Sequence, residues 1–215
     1  MTGDQPKRPA YRSPLAEFEL TDAWFERLGL HPSLLQEVGA LAAMAAMIEE
    51  RVEHVVWKVE GHAPAGQRHW TDGKPISELI HRLKQLGEQS PDRSLGSLLV
   101  LWCEAAEPAF KCRNNLFHGV ASGLGGEWVA FMANRAAKGE QRRRKFGEFI
   151  ATDHTMSLMR LAFSGLLRAI VLIEAKDFAA VDPELIRKME RGLREARSIA
   201  WELENLATAV NHEKY

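Results

Sequence analysis

The sequence predicts an all-α protein: a helical bundle carrying one small β-hairpin past its midpoint. Three observations lead there. Apolar residues recur three and four apart through several long segments, which is the period of a helix with one buried face. Pro, Gly, Ser and Asp cluster between those segments, where helices start and stop. Short aromatic and β-branched runs of strand type occur only within residues 127–152.

Residues 1–14 are polar and contain Pro, and they read as a flexible tail; residues 15–215 read as a single helical domain. Residues 15–28 form a short amphipathic helix with Phe18, Trp24, Phe25 and Leu28 as contacts, ended by Gly29. His31, Pro32 and Ser33 open a long helix to about residue 60, with Leu34, Val38, Leu41, Ala45, Ile48, Val52, Val55, Val56 and Val59 recurring at a helical period. Residues 61–74 read as a loop. Residues 76–86 form the next helix, with Gly87 at its end. Ser90-Pro91-Asp92 supplies the cap and first turn of another, whose stripe is Leu95, Leu98, Leu99 and Trp102. Pro108 is expected to break or kink it. Its second part carries Ala109, Cys112, Arg113, Leu116 and Phe117.

Beyond Gly119, residues 122–126 read as a turn, followed by hairpin strands at 127–134 and 145–152. Asp153 is expected to cap a helix to about residue 176. Asp182-Pro183 opens the long C-terminal helix. There Ile186, Met189, Leu193, Ala196, Ala200, Leu203, Ala207 and Val210 alternate three and four apart, a narrow seam that suits another helix of the bundle or a dimer partner.

The composition is 46% hydrophobic and 27% charged, enough to build a core without disulfides or metals. Formal net charge is −1, so binding to a polyanion must come from a local patch. Cys103 and Cys112 form neither a zinc pattern nor a disulfide framework, which fits a reduced, cytoplasmic setting. The N-terminus lacks the apolar core of a signal peptide, and no uncharged stretch reaches membrane-spanning length, so no membrane partner is expected. There is no Gly-rich phosphate loop, zinc motif or nucleophile elbow, and no metal or cofactor is expected.

Chemistry concentrates in Arg113-Asn114-Asn115-Leu116-Phe117-His118-Gly119. On a helix Asn114 and His118 share a face, and the Arg113 side chain is long enough to converge on it. An imidazole moves a proton near neutral pH, a guanidinium forks onto phosphate, and an amide orients either. That set suits charge developing on a phosphate oxygen. The competing reading is a helix C-terminus, with Gly119 as the left-handed cap and His118 favouring the dipole. The cap does not account for Arg113, which falls on the apolar spacing between Ala109 and Leu116. Glu49 also lies on an apolar side, among Ala45, Val52 and Val56. Either it pairs with Arg113, or it sits at the stripe's edge and reaches water.

Two further stretches are candidate nucleic-acid contacts. Arg68-His69-Trp70 offers a charge, an imidazole and a stacking surface; the alternative is a loop anchored by its Trp. The basic run 138–145, with Arg142, Arg143 and Arg144, is a solvated loop or a grip on a phosphate backbone.

The motif resembles the signature of the HEPN superfamily: an Arg, usually a polar residue next, and a His four to six positions after the Arg. Arg113, Asn114 and His118 match it position by position, near the end of a helix in a helical chain. Outside the motif the similarity is architectural, over residues 34–175. The resemblance implies a HEPN-like bundle and a metal-independent endoribonuclease acting on RNA. His118 would be acid or base, Arg113 would stabilise the phosphate, and Asn114 would orient the phosphate or His118; Asn115 and Glu49 would support them. It also implies a homodimer whose motif helices meet, and membership among toxins or phage-defence effectors, some neutralised by a partner protein. Other members are non-catalytic dimerisation or RNA-binding modules.

Overall fold

The structure is a computed structural model describing residues 22–62, 70–123, 128–133, 149–176 and 181–212. Its element order is α1 (Asp22–Arg27), α2 (Pro32–Glu60), α3 (Ile76–Gln89), α4 (Arg93–His118), β1 (Gly119–Gly123), β2 (Val129–Ala133), β3 (Phe149–Ala151), α5 (Asp153–Ala175) and α6 (Pro183–His212). The five long helices pack in a ring, α2 to α3 to α4 to α6 to α5 and back to α2, and α4 also meets α5 across the interior.

The apolar stripes explain this arrangement. One contiguous core runs from Leu34 on α2 to Leu203 on α6 and includes every long helix. Such a stripe is stable in water only when another covers it. α4 is buried on several sides, from Leu98 and Leu99 round to Phe110, Cys112 and Leu116. At its contact with α5, buried Trp102 donates its indole N–H to the Leu166 carbonyl at 2.9 Å. Phe110 and Phe163 meet in a tilted pair with centroids 5.2 Å apart. The α6 seam (Met189, Leu193, Ala196, Ala200 and Leu203) faces α4 and α5, so it serves the bundle interior.

Several helix ends differ from expectation. Gly87 does not end α3. It is buried within the helix, where a Cβ would lie 3.0 Å from the Gly96 carbonyl oxygen and 2.9 Å from Leu99 Cβ. Gly87 and Gly96 let α3 and α4 approach backbone to backbone. The α4 cap is Asp92, whose carboxylate accepts from the Ser94 and Leu95 N–H groups. Pro108 is buried inside α4 without ending it; burial on neighbouring helices holds a turn that the missing N–H would otherwise weaken. Thr152, rather than Asp153, caps α5 in a reciprocal box with Thr155. Gly61 closes α2 with a left-handed φ of 75°, and His62 N–H returns to the Trp57 carbonyl.

Among the described residues the β element has three strands rather than the expected two. β1 continues directly from α4 and takes in Ser122 and Gly123, where the expected turn began, and β1, β2 and β3 form an antiparallel sheet in that order. Gly119 pairs with Ala133 and Phe131 with Phe149. Val129, Phe131, Phe149 and Ala151 join the helical core.

Among the described residues, only α5 is long and apolar enough to cross a membrane by length and composition. Arg160 and Arg168 interrupt its outer face, and Met156, Met159, Phe163, Leu166 and Ile170 are buried in the bundle.

Candidate functional site

The motif occupies the last turns of α4 and its junction with β1. Leu116 and Cys112 are buried and fix that end of the helix in the core. With those positions inward, Asn114 and His118 both emerge exposed, as their four-residue spacing requires. Asn115 is half-buried.

Arg113 lies between core and solvent, its side chain 20% exposed. One guanidinium nitrogen, Nη2, lies 3.1 Å from Glu49 Oε1 on α2. The other, Nη1, donates to Asn114 Oδ1 at 2.9 Å. Its Cζ stands 5.1 Å from the Phe117 ring centroid and 5.8 Å from that of Phe110. These rings come from positions four after and three before Arg113, the two neighbours a helix places beside it. A planar cation between two aromatic faces gains from their quadrupoles and loses little hydration there. Nε is buried without a hydrogen-bond partner, so the group is held by one carboxylate, one amide and two rings.

The Glu49 pairing is therefore present, and Glu49 also reaches water, being 37% exposed. The two alternatives open from the sequence coexist: the carboxylate sits at the edge of its stripe and meets Arg113 there. Phe110 and Phe117 were not expected as parts of the site. Their spacing about Arg113 was the available signal.

His118 is exposed and makes no hydrogen bond or ion pair among the described residues. Arg113 and His118 share one end of one helix, with no hydrogen bond between them among the described residues. Asn114 joins them: it contacts the guanidinium and stands one turn before the imidazole on the same face.

Gly119 does not form the expected left-handed cap. Its φ is −78° and ψ 148°, an extended conformation open to any residue. Glycine is needed there for space, since a Cβ would lie 2.8 Å from Phe131 Cβ and also strike the Asn115 carbonyl. The motif helix thus runs straight into the sheet, and β2 presses on its end. Val120, directly after, is 55% exposed.

Of the remaining expected contacts, only Trp70 is among the described residues, and it falls elsewhere. Trp70 is exposed and donates its indole N–H to Glu60 Oε2 at 3.3 Å. Glu60 lies eleven positions beyond Glu49 on α2, about 16 Å along the axis. The same carboxylate takes Arg82 Nε at 2.7 Å and lies 3.4 Å from His62 Nε2. Trp70 thus belongs to a polar cluster at the far end of α2. Arg68, His69, Arg142, Arg143 and Arg144 lie outside the described residues. Burial pushes the Cys112 thiol up to about 12 and raises that of Cys103 further, so neither supplies a thiolate near neutral pH. Among the described residues no three His, Cys, Asp or Glu side chains gather as a metal site.

This arrangement offers a fixed cation, an orienting amide and a solvent-facing imidazole, a set able to bind an anionic group and move a proton beside it. No family model, curated protein or solved structure matches this chain.

Proposed function

We propose that the chain is a metal-independent endoribonuclease of HEPN type, with Arg113, Asn114 and His118 at its centre. The observation that supports this most is the division of labour at the end of α4. Arg113 is anchored by Glu49 and two rings, whereas His118 is exposed and uncommitted. A residue kept only for packing has no reason to be presented this way. In the proposed reaction the ribose 2′-OH attacks the adjacent phosphorus. His118 takes or delivers a proton, and Arg113 stabilises the charge on the non-bridging oxygens. The P–O5′ bond breaks, leaving a 2′,3′-cyclic phosphate and a 5′-OH. One imidazole serves one of the two proton transfers. A two-fold homodimer supplies a second, and exposed Val120 beside the motif offers apolar surface for such a contact.

The test is a pair of substrates. An RNA oligonucleotide should be cleaved, and its 2′-O-methyl counterpart should survive because the nucleophile is blocked. Equal cleavage of both would rule out the mechanism.

One observation favours a second reading, a non-catalytic dimerisation or RNA-binding module. The Arg113 guanidinium is already engaged by Glu49 and Asn114, as a bundle-fixing network would have it. On that reading RNA is bound without being cut by the parent chain, and Arg113→Met lowers stability.

A further inference from the structure

The outer face of the α5–α6 hairpin carries a groove of about 650 Å³ that the described residues leave open. On α5 it spans residues 157–172, sixteen positions, or about 24 Å of helix. Leu161, Leu172, Leu185 and Ile199 give it apolar walls, and Leu161 is 51% exposed. Its floor is low because glycines stand mid-helix on both sides. A Cβ at Gly165 would meet Ala196 and the Gly192 carbonyl only at ordinary contact distance, and one at Gly192 would meet nothing within 4 Å. Packing within the chain does not require either glycine, although glycine inside a helix is unfavourable. Their effect is to let a further backbone come close.

The charges around this floor are unbalanced. Arg168 follows Gly165 by three positions and Lys188 precedes Gly192 by four, so both stand about one turn from the glycines, toward the α5–α6 connection. Both are exposed and make no ion pair among the described residues. Arg160, on the opposite side of the glycines, is already paired with Glu37 at 2.9 Å. Among the described residues, Glu195 is the one carboxylate lining the groove.

We infer that this groove receives an amphipathic helix of another protein, with small and apolar residues against the glycine floor and acidic residues against Arg168 and Lys188. The length suits about four turns of helix, and the glycines set a close approach. The charge selects the partner: a second copy of this hairpin would bring the same two cations to the contact, whereas an acidic helix neutralises them. The inference is independent of the proposed nuclease chemistry, which lies at the end of α4.

The probe is a labelled synthetic helical peptide of about 16 residues, with an alanine–leucine stripe flanked by glutamates. Its control has lysines in place of the glutamates. Fluorescence anisotropy should show saturable binding of the acidic peptide to the parent chain and at least about tenfold weaker binding of the basic one. Gly192→Leu fills open space, so circular dichroism and Tm should stay near the parent's while acidic-peptide binding is lost. Arg168→Glu with Lys188→Glu should reverse the peptide preference. The proposal is overturned by any of three results: no saturable binding, equal binding of the two peptides, or a parental dimer that Gly192→Leu dissociates, which would make the occupant a second copy.

Discussion

Replacing Glu49 by Gln keeps the shape of the side chain and removes the charge facing Arg113. The structure sets the size of the effect. The two groups lie 3.1 Å apart, with side chains 37% and 20% exposed respectively. Unit charges about 4 Å apart attract by about 4 kcal/mol at the effective dielectric of a protein surface, before desolvation and side-chain ordering are subtracted. Fully exposed pairs net below about 1 kcal/mol, and breaking a buried pair costs about 3–5 kcal/mol. Partial exposure on both sides screens this pair, which places Glu49→Gln at about 1–2 kcal/mol of lost stability. Arg113→Met should lose a similar amount, partly through the Phe110 and Phe117 contacts. Urea denaturation of the parent, the two single variants and the double variant closes a cycle. The expected coupling is about 1 kcal/mol, so the double variant is less destabilised than the sum of the singles. Additivity within about 0.3 kcal/mol would refute the view that Glu49 anchors Arg113. If Arg113 acts on phosphate, Glu49→Gln should lower RNA cleavage less than Arg113→Met does, since it loosens the cation without removing it.

Glycine substitutions should split by sign. Gly192→Ala should raise stability by about 0.5–1 kcal/mol, because the new methyl meets open space and helix propensity improves. Gly96→Ala should lower it by about 1–3 kcal/mol, since its Cβ would stand 2.5 Å from the Gly87 carbonyl oxygen; thermal melts of both variants decide this. Gly119→Ala should also destabilise, by about 1–3 kcal/mol, although its φ suits alanine, because Phe131 occupies the space. The Cys112 thiol holds its proton to about pH 12 when folded, against 9.0 for the ordinary group. The unfolded chain therefore releases that proton first as pH rises. Stability is full below pH 9 and declines toward pH 12, by up to about 1.4 kcal/mol per pH unit from this group. Alkaline unfolding curves for Cys112→Ala should show a correspondingly shallower slope.

The helical elements were legible in the sequence wherever burial follows a regular period. The α2 stripe is a simple repeat that contains every buried residue of its helix, and the α6 repeat names Met189, Leu193, Ala196, Ala200 and Leu203 but misses buried Ile199. The Glu49–Arg113 pair was legible for a similar reason: a carboxylate on an apolar stripe calls for a cation, and Arg113 was the unexplained one. What escaped depends on contacts between elements. The β1 segment Gly-Val-Ala-Ser-Gly has little strand propensity, and it is a strand because β2 lies beside it. Gly87 and Gly119 read locally as stops, but each is glycine because something distant in sequence presses on it. Pro108 reads as a breaker, yet its turn is buried among neighbouring helices. The α5–α6 groove gives no sequence signal, because the residues lining it belong to two helices whose register only the folded hairpin defines.

The nuclease proposal stands or falls on cleavage of an end-labelled, mixed-sequence RNA in EDTA by the purified parent chain beside His118→Ala. The chelator removes contaminating metal-dependent nucleases from the comparison. Cleavage by the parent with 2′,3′-cyclic phosphate ends, falling by at least about a hundredfold in His118→Ala, is the predicted result. Cleavage at the same rate by both proteins would contradict it, and His118 would have no part in the chemistry.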